Sequence, residues 1–235
     1  MVRHLFIDLL FPSRCVACGS PVSAPHNHLC PACAGEIAPL GGECPVCSGA
    51  VENGRCLICG DRHWYPTRSI AVSEYRGVLK SVIGGLKFDG LRGCYKILVR
   101  LALESLAWSD ILPDIITWVP MNARKSWKRG FNQSELIARH IAKRRGLPAR
   151  GLLVERRNSP TQRELGLRGR FLSCHGRYRP RRDVRLEGKT VMLVDDVFTT
   201  GATINECARL LLEAGARDIF SLAIARADIK RLEMF

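Results

Sequence analysis

Residues 191–203 read VMLVDDVFTTGAT and are followed at 204–215 by INECARLLLEAG. The run VMLV is short and continuously apolar, which is typical of a parallel strand buried on both faces. Apolar residues then recur at helical spacing, at Ile204, Ala208, Leu211 and Leu212, until Gly215 ends the helix. The stretch therefore predicts a strand, a loop and a helix, as in α/β proteins.

The loop between this strand and helix predicts a phosphoribosyl site. Asp195 and Asp196 follow the apolar run, at the sheet edge where α/β proteins bind ligands. The free backbone N–H groups of a helix N-terminus bind phosphate, and hydroxyl groups add donors. The residues of this loop are Thr199, Thr200, Gly201, Ala202 and Thr203. Ionised aspartates only accept hydrogen bonds and so suit a ribose diol, which completes a 5-phosphoribosyl group.

Two other interpretations of the aspartate pair compete with phosphoribosyl binding. Adjacent aspartates at a strand end also occur in phosphoacceptor receiver domains, and such a pair is sometimes merely solvated. Neither interpretation accounts for TTGAT directly behind the pair. The loop lacks the lysine of a P-loop and the spacing of GxGxxG, so phosphoribosyl binding is favoured.

The N-terminal quarter of the chain predicts two zinc sites. Eight of the 11 cysteines form four CxxC pairs within residues 15–59. Two thiolates in a tight turn hold one side of a metal ion, and a second turn completes a tetrahedron. We expect two structural zinc ions, held by Cys15, Cys18, Cys30, Cys33, Cys44, Cys47, Cys56 and Cys59.

The pairing of these motifs is open at this level. Sequential pairing closes the shorter loops, and a crossed pairing of the first with the third and the second with the fourth motif remains. His26 and His28 are alternative ligands, although eight thiols favour them as spacer residues. A disulfide scaffold needs an oxidising compartment, and a redox CxxC would be single, so both are disfavoured.

The length of 235 residues suits one full-sized domain with a small appendage. We expect a cysteine-rich zinc-binding domain at 1–63 and an α/β domain at 64–235, which opens with the strand-like run SIAVSEY. No apolar run approaches the roughly 18 residues that span a bilayer. The run LFIDLLF near the start carries Asp8 and no small-residue cleavage site, so we expect no signal peptide or anchor and a cytoplasmic location.

The net charge of +14 is concentrated in one stretch. Residues 124–189 hold 20 Lys and Arg against 5 Asp and Glu, whereas residues 1–63 hold 4 against 5. Basic side chains interleaved with aromatic rings resemble a footprint for single-stranded nucleic acid. The rings are Trp127, Phe131, Phe171 and Tyr178. The alternatives are arginines that serve the phosphoribosyl ligand alone, a solvated face, and RNA or another polyanion.

The motifs resemble a known family. VDDVFTTGAT resembles the diphosphoribosyl (PRPP) signature of type I phosphoribosyltransferases. The whole chain resembles the ComF family, through LLFPSRCVAC at 9–18, Tyr75, Lys87-Phe88 and VPMNARKSWKRGFNQSELIA at 119–138, where RGFNQ is specific to the family. The resemblance implies a type I phosphoribosyltransferase fold, with a parallel sheet and a hood, behind a zinc-binding head.

The resemblance also implies ligands and partners. It implies that the chain binds PRPP with Mg²⁺, that single-stranded DNA is a partner, and that the chain acts with DNA-uptake or recombination proteins in natural transformation. Residues implied for pyrophosphate and the hood are Arg124, Lys125, Arg129, Arg157, Gln162 and Arg170. Thr161 and Leu165 also match the hood pattern, whereas Ser173 stands where Asn is expected. For DNA we single out Arg144, Arg145, Arg181 and Arg182, which lie outside the matched hood positions.

A second function of a different class is an active phosphoribosyltransferase with an unidentified small-molecule acceptor. No residue stands out as a general base, so the catalytic residues are unassigned. The glutaminase domain of amidophosphoribosyltransferases is not recognisable in the sequence, so we do not expect synthesis of phosphoribosylamine from glutamine. Of the three cysteines outside the CxxC pairs, Cys94, Cys174 and Cys207, we expect Cys207 to be buried in its helix.

Overall fold

The computed structural model describes residues 13–22, 28–107, 110–156 and 174–227. The helices are α1 (Pro31–Gly35), α2 (Gly77–Lys87), α3 (Cys94–Ala107), α4 (Ala123–Arg129), α5 (Gln133–Arg145) and α6 (Ala202–Glu213). The strands are β1 (Val51–Glu52), β2 (Arg55–Cys56), β3 (Arg68–Glu74), β4 (Ile115–Trp118), β5 (Leu153–Glu155), β6 (Tyr178–Pro180), β7 (Thr190–Phe198) and β8 (Asp218–Arg226).

The central sheet has four strands in the order β3-β8-β7-β4, and every neighbouring pair is parallel. Val194 of β7 lies opposite Trp118 on one side and Leu222 on the other. Helices cover both faces, as a parallel sheet requires. The expected α/β class with a parallel sheet is confirmed.

The central strand β7 shows why the fold follows from its sequence. Met192 and Val194 face a core built with α2, α3 and α5, whereas Val191 and Leu193 face a core built with α6. All four side chains are buried, because successive residues of a strand point to opposite faces and both faces are covered. The strand continues to Phe198, so the two aspartates lie within its last four residues rather than after it.

The two cysteine groups lie on opposite faces of this sheet. Cys15 and Cys33 belong to the core with α2, α3 and α5, whereas Cys44 and Cys47 belong to the core with α6. Segment 38–48, which follows the first group and includes the first two cysteines of the second, covers the edge strand β3. The Leu40 N–H donates to the Val72 carbonyl at 2.9 Å, and the Ser69 N–H donates to the Val46 carbonyl at 2.7 Å. An otherwise unpaired sheet edge is thereby protected.

Strands β5 and β6 form a separate antiparallel pair, with Leu153 opposite Pro180. They flank the segment expected to form the hood. The hood positions Arg157, Thr161, Gln162, Leu165, Arg170 and Ser173 lie outside the described residues. In the described part of the chain, no helix is both long and apolar enough to cross a membrane.

Candidate functional site

The two aspartates have different surroundings. The Asp195 carboxylate accepts hydrogen bonds from the Ser134 hydroxyl at 3.1 Å and from the Asp196 N–H at 2.8 Å. Ser134 lies in the first turn of α5, and the side-chain carbonyl of Asn132, the N-cap of this helix, accepts from the Ser134 N–H at 3.0 Å. The RGFNQ motif thus caps α5 and holds its first turn against Asp195.

Asp196 forms an ion pair with the last residue of α2. The Lys87 Nζ lies 2.5 Å from Asp196 Oδ2, and both side chains are only about one-sixth exposed, at 15% and 16%. The pair joins the carboxyl end of β7 to the end of the helix that follows β3. Lys87 therefore places a cation at the expected ribose and pyrophosphate position.

Burial raises the pKa of Asp195 to about 7, and the negative charge of Asp196 adds to this rise. The Asp196 N–H, the Lys87 ammonium and the Ser134 hydroxyl oppose it. Asp195 therefore changes its protonation state near neutral pH. Such shifted carboxyl groups are concentrated at functional sites.

The phosphate loop, residues 199–203, turns sharply into α6. Gly201 has a φ of 74°, a left-handed conformation that favours glycine. The Thr200 hydroxyl is buried and accepts from the Ala202 N–H at 3.3 Å, so it stabilises the start of the helix. Thr203 is half-buried, with its hydroxyl 3.7 Å from the Cys174 sulfur. The loop thus presents a helix N-terminus at the carboxyl edge of the sheet.

The segment that joins the cysteine-rich region to β3 covers this loop. The Trp64 ring packs so closely that a Cβ built on Gly201 would lie 2.4 Å from it. Asn205 of α6 fixes the segment, because its side chain accepts from the Tyr65 N–H at 2.8 Å and donates to the His63 carbonyl at 3.0 Å. The shape of the phosphate loop therefore depends on residues far away in the sequence.

Helix α4 carries the residues expected to face pyrophosphate. Arg124 and Lys125 are exposed, and the Asn122 side chain caps the helix by accepting from the Arg124 N–H at 3.0 Å. The Arg129 guanidinium lies 5.1 Å from the ring centroid of Phe88, the neighbour of Lys87. The end of α4 is thus brought beside the ion pair at Asp196.

The cysteines form two groups in sequential order, Cys15 with Cys18, Cys30 and Cys33, and Cys44 with Cys47, Cys56 and Cys59. The crossed arrangement is not observed. Sulfur–sulfur distances of 3.7, 3.6 and 3.4 Å recur within the groups. Four sulfurs at about 2.3 Å from one zinc ion lie about 3.8 Å apart in a tetrahedron, so both groups fit zinc. His26 lies outside the described residues, and His28 belongs to neither group.

The thiols of each group share their protons unequally. Burial alone would raise the pKa of Cys15 and of Cys44, but backbone N–H groups lower these pKa values to about 6 and about 7. Burial, together with the neighbouring thiols of Cys44 and Cys56, raises the pKa of Cys59 to about 12. The hydrogen bond with the Ser20 hydroxyl also lowers the pKa of Cys18, so each group has at least one thiol that readily becomes the thiolate that binds metal.

The residues singled out for DNA are exposed but do not all lie near the phosphate loop. Arg144 and Arg145 are in the last turn of α5, whose first turn holds Asp195. At 1.5 Å per residue, they lie about 15 Å along the helix from Ser134. Arg181 and Arg182 are exposed beyond β6. The basic stretch therefore extends well beyond the aspartate pair and the loop at 199–203.

The expected aromatic partners are only partly available. Trp127 on α4 is 89% exposed, whereas Tyr178 is 4% exposed and packs in the core with α6. The suggestion that Tyr178 stacks on bases is therefore wrong, because β6 points this ring inward. Phe131 is half-buried, with the Arg92 guanidinium 5.2 Å from its centroid, and Phe171 lies outside the described residues.

Comparisons with known proteins define the class. Residues 6–63 match the double zinc ribbon domain, and residues 132–233 match the phosphoribosyl transferase domain. The chain therefore combines a double zinc ribbon with a type I phosphoribosyltransferase fold. Relatives include the "DNA utilization protein YhgH" of Salmonella typhi, 32% identical over 90% of this chain and 96% of the relative. "Competence protein F" of Haemophilus influenzae is 29% identical over 92% and 98%, and "Competence protein ComFC" of Bacillus subtilis is 26% identical over 96% and 89%.

The chain belongs to the ComF family. Solved structures with partial similarity include the adenine phosphoribosyltransferase of Thermoanaerobacter pseudethanolicus, at 17% identity and a TM-score of 0.39 over 57% of this chain and 81% of that chain. Another is the glutamine phosphoribosylpyrophosphate amidotransferase of B. subtilis, at 22% identity and a TM-score of 0.41 over 60% of this chain and 30% of that chain.

Sequence reasoning missed several residues of the site. The sequence marks Lys87 only as part of a family motif, without a role, and it gives no role to Ser134, which follows RGFNQ in the family motif. Trp64 and Arg226, which lie around the phosphate loop, carry no local signal in the sequence. Their roles arise from contacts between distant parts of the chain, because Trp64 packs against Gly201 and Arg226 donates to the Cys47 carbonyl.

Proposed function

We propose that the chain binds PRPP with Mg²⁺ at the carboxyl edge of the sheet, and that it also binds single-stranded DNA. The observation that carries the first part is the juxtaposition of adjacent carboxylates with the phosphate loop. Asp195 and Asp196 supply acceptors for the ribose diol, and residues 199–203 supply N–H and hydroxyl donors for the 5-phosphate.

The cations around this edge suit the pyrophosphate. Lys87 lies against Asp196, and Arg129 is one aromatic ring away over Phe88. Arg124 and Lys125 are exposed on the same helix as Arg129, and the hood residues Arg157, Gln162 and Arg170 remain predicted contacts. Mg²⁺ prefers oxygen ligands and would be held by the ligand's own phosphates together with Asp196.

Calorimetric titration with PRPP in the presence of Mg²⁺ tests the site. Asp196→Asn should weaken binding about tenfold or more, because a charge-assisted hydrogen bond contributes about 1.5–3 kcal/mol. Glu213→Gln, an exposed carboxylate at the far end of α6, is the matched control and should bind as the wild type does. Absence of binding by the wild type, or equal affinity in both variants, would refute the assignment.

The second part of the proposal, DNA binding, is supported by the exposed basic stretch and by Trp127. The ring projects from α4 among Arg124, Lys125 and Lys128, all exposed. Cations that track phosphates beside a ring that stacks on bases are the features of sites for single strands. The family members named for competence and DNA utilisation are consistent with this partner.

Transfer of the phosphoribosyl group to a small-molecule acceptor is the alternative. Lys87, paired with Asp196, and Arg129, over Phe88, are cations that would stabilise departing pyrophosphate in such a reaction. Release of pyrophosphate from PRPP with a panel of nucleobases would favour the transferase, whereas tight binding without release would favour a ligand-responsive DNA-binding protein.

A further inference from the structure

A buried arginine lies between the second zinc ribbon group and the phosphate loop. Arg226 is the last residue of β8 and is 7% exposed. One of its terminal nitrogens, Nη1, donates a hydrogen bond to the Cys47 carbonyl. The other, Nη2, is buried and has no hydrogen-bond partner among residues 13–22, 28–107, 110–156 and 174–227. A buried cation with a free donor requires a negative charge nearby.

The free nitrogen faces the sulfurs of the second group. A Cβ built on Gly49 would lie 3.1 Å from Arg226 Nη2, 3.1 Å from the Cys47 sulfur and 2.8 Å from the Cys56 sulfur. The three atoms therefore surround one small space, which only a glycine leaves open. A zinc ion held by four thiolates carries a net charge of about −2, because each ligand binds as the anion. Arg226 is in position to be its counter-ion.

The same guanidinium also contacts the support of the phosphate loop. Arg226 lies 4.7 Å from the ring centroid of Phe198, the last residue of β7. A Cβ built on Gly201 would lie 2.7 Å from Phe198 Cζ. The Ala227 N–H donates to the Phe198 carbonyl at 2.8 Å, which holds the two strand ends together. The contacts thus run from the cysteine group through Arg226 and Phe198 to Gly201.

We propose that the zinc ion of the Cys44, Cys47, Cys56 and Cys59 group positions the phosphate loop through Arg226 and Phe198, so that zinc occupancy of this group sets the affinity for the phosphorylated ligand. Arg226 is a positioning residue in this arrangement and contacts no ligand. The effect on ligand affinity rests on the proposed binding of PRPP. The counter-ion role of Arg226 does not.

The counter-ion role is tested by zinc affinity, measured in competition with a chromophoric chelator. Arg226→Met should weaken one of the two zinc sites about 10–100-fold, as loss of an outer partner of a metal centre does. Arg226→Lys keeps the positive charge on a side chain of similar length and should lose less zinc affinity than Arg226→Met. A packing role alone predicts the reverse order, because an apolar methionine suits a buried position better than an unpaired ammonium group. Wild-type zinc affinity in Arg226→Met would overturn the proposal.

The effect on the ligand is tested by calorimetry with PRPP and Mg²⁺. Cys59→Ser opens the second group and Cys18→Ser opens the first, so the two variants are matched in chemistry and in zinc lost. We expect the affinity loss in Cys59→Ser to be at least about fivefold larger than that in Cys18→Ser. Equal losses would overturn the proposal.

The path through Phe198 is tested by a double-mutant cycle. In a Phe198→Leu background, the ring contact with Arg226 is absent, so Cys59→Ser should cost less affinity than it does in the wild type. If Cys59→Ser lowers PRPP affinity as much in the Phe198→Leu background as in the wild type, the path through Phe198 is wrong. If the wild type does not bind PRPP at all, the proposed function fails, and the zinc titration of the Arg226 variants still decides the counter-ion role.

Discussion

Asp195 and Asp196 are chemically identical neighbours that the fold makes different. Asp196 is paired with Lys87 at 2.5 Å, whereas Asp195 is half-buried beside that charge and accepts from a hydroxyl and an N–H. Burial and the adjacent carboxylate raise the pKa of Asp195 to about 7. One aspartate thus pairs with a lysine, whereas the other titrates near neutral pH.

This difference predicts a pH dependence of ligand binding. A carboxylate accepts from a diol only with a free lone pair, and the ionised form accepts more strongly. Affinity for PRPP with Mg²⁺ should therefore fall as the pH drops from 8 to 6, through the pKa of about 7 for Asp195. In Asp195→Asn this part of the fall should disappear, and calorimetry at both pH values measures it.

Protein stability supplies the independent control for that prediction. Because the pKa of Asp195 is raised on folding, the protonated form stabilises the fold, and this contribution is lost as the pH rises through about 7. The melting temperature of Asp195→Asn should therefore depend less on pH than that of the wild type between pH 5 and 8. If the melting temperatures of the wild type and Asp195→Asn change equally with pH, the raised pKa of Asp195 is contradicted.

Lys87 makes a second prediction at this scale. Lys87→Met removes the cation and leaves the two carboxylates uncompensated, which should cost about 1–3 kcal/mol of unfolding free energy at pH 8. Lys80→Met, at an exposed lysine of the same helix, is the control and should be nearly neutral. Chemical denaturation of the two variants measures the difference, and equal stability would show that the Lys87 pair contributes nothing.

At the scale of elements, α4 and α5 divide the basic stretch between two surfaces. Helix α4 carries Trp127 and exposed cations beside the proposed ligand site, whereas the last turn of α5 carries Arg144 and Arg145 at a distance from it. Because these helices follow one another, a single strand of nucleic acid could contact both. The two surfaces should contribute separately to the proposed DNA affinity, one through charge and the other through stacking.

Salt dependence tests the charged part of this surface. If the stretch neutralises five phosphates of single-stranded DNA, the slope of log affinity against log salt should be about −3.5. Replacing Arg144, Arg145, Arg181 and Arg182 by alanine should flatten the slope and leave PRPP binding largely intact. Fluorescence anisotropy with a labelled oligonucleotide measures this, and absence of binding at low salt would leave the charge as a solvated face.

Trp127→Ala is the complementary variant in the same assay. Stacking on one base contributes about 1–3 kcal/mol, so affinity should fall about fivefold or more while the salt slope stays as in the wild type. If Trp127→Ala changes the salt slope but does not lower the DNA affinity at a given salt concentration, Trp127 does not stack on a base. If PRPP alters DNA affinity, linkage requires DNA to alter PRPP affinity by the same factor.

At the scale of the whole molecule, each cysteine group is part of one of the two hydrophobic cores that flank the sheet. Cys15 and Cys33 pack with α2, α3 and α5, and Cys44 and Cys47 pack with α6 on the other face. The cysteine-rich region therefore encloses the α/β sheet rather than projecting from it. Metal loss should affect the body as well as the ribbons.

We predict two zinc ions per chain, by metal analysis of the purified protein. Apparent binding energies of structural zinc sites are about 10–16 kcal/mol, so a strong chelator should lower the thermal stability of the whole chain. Circular dichroism should show that helix and strand signal is lost from the α/β domain as well as from the small ribbons. One ion or none, with disulfides found by mass spectrometry, would contradict the zinc assignment.

The sequence by itself determined the parallel α/β class, the strand, loop and helix at 191–215, and the two cysteine groups. These features are local: apolar periodicity, a hydroxyl-rich loop and CxxC spacing depend on residues close together in the chain. The sequence also placed Cys207 correctly in the core, where it is fully buried. Local chemistry is enough for such features, because neighbouring residues supply all the groups involved.

The tertiary structure alone decided which distant groups meet at the site. Lys87 and Asp196 are 109 positions apart, and Trp64 and Arg226 approach the phosphate loop from the ribbon junction and the last strand. It also turned Tyr178 inward, where the sequence suggested an exposed ring. Parallel strands collect their carboxyl ends at one edge, so contacts there depend on strand order, and strand order is a property of the whole chain's packing.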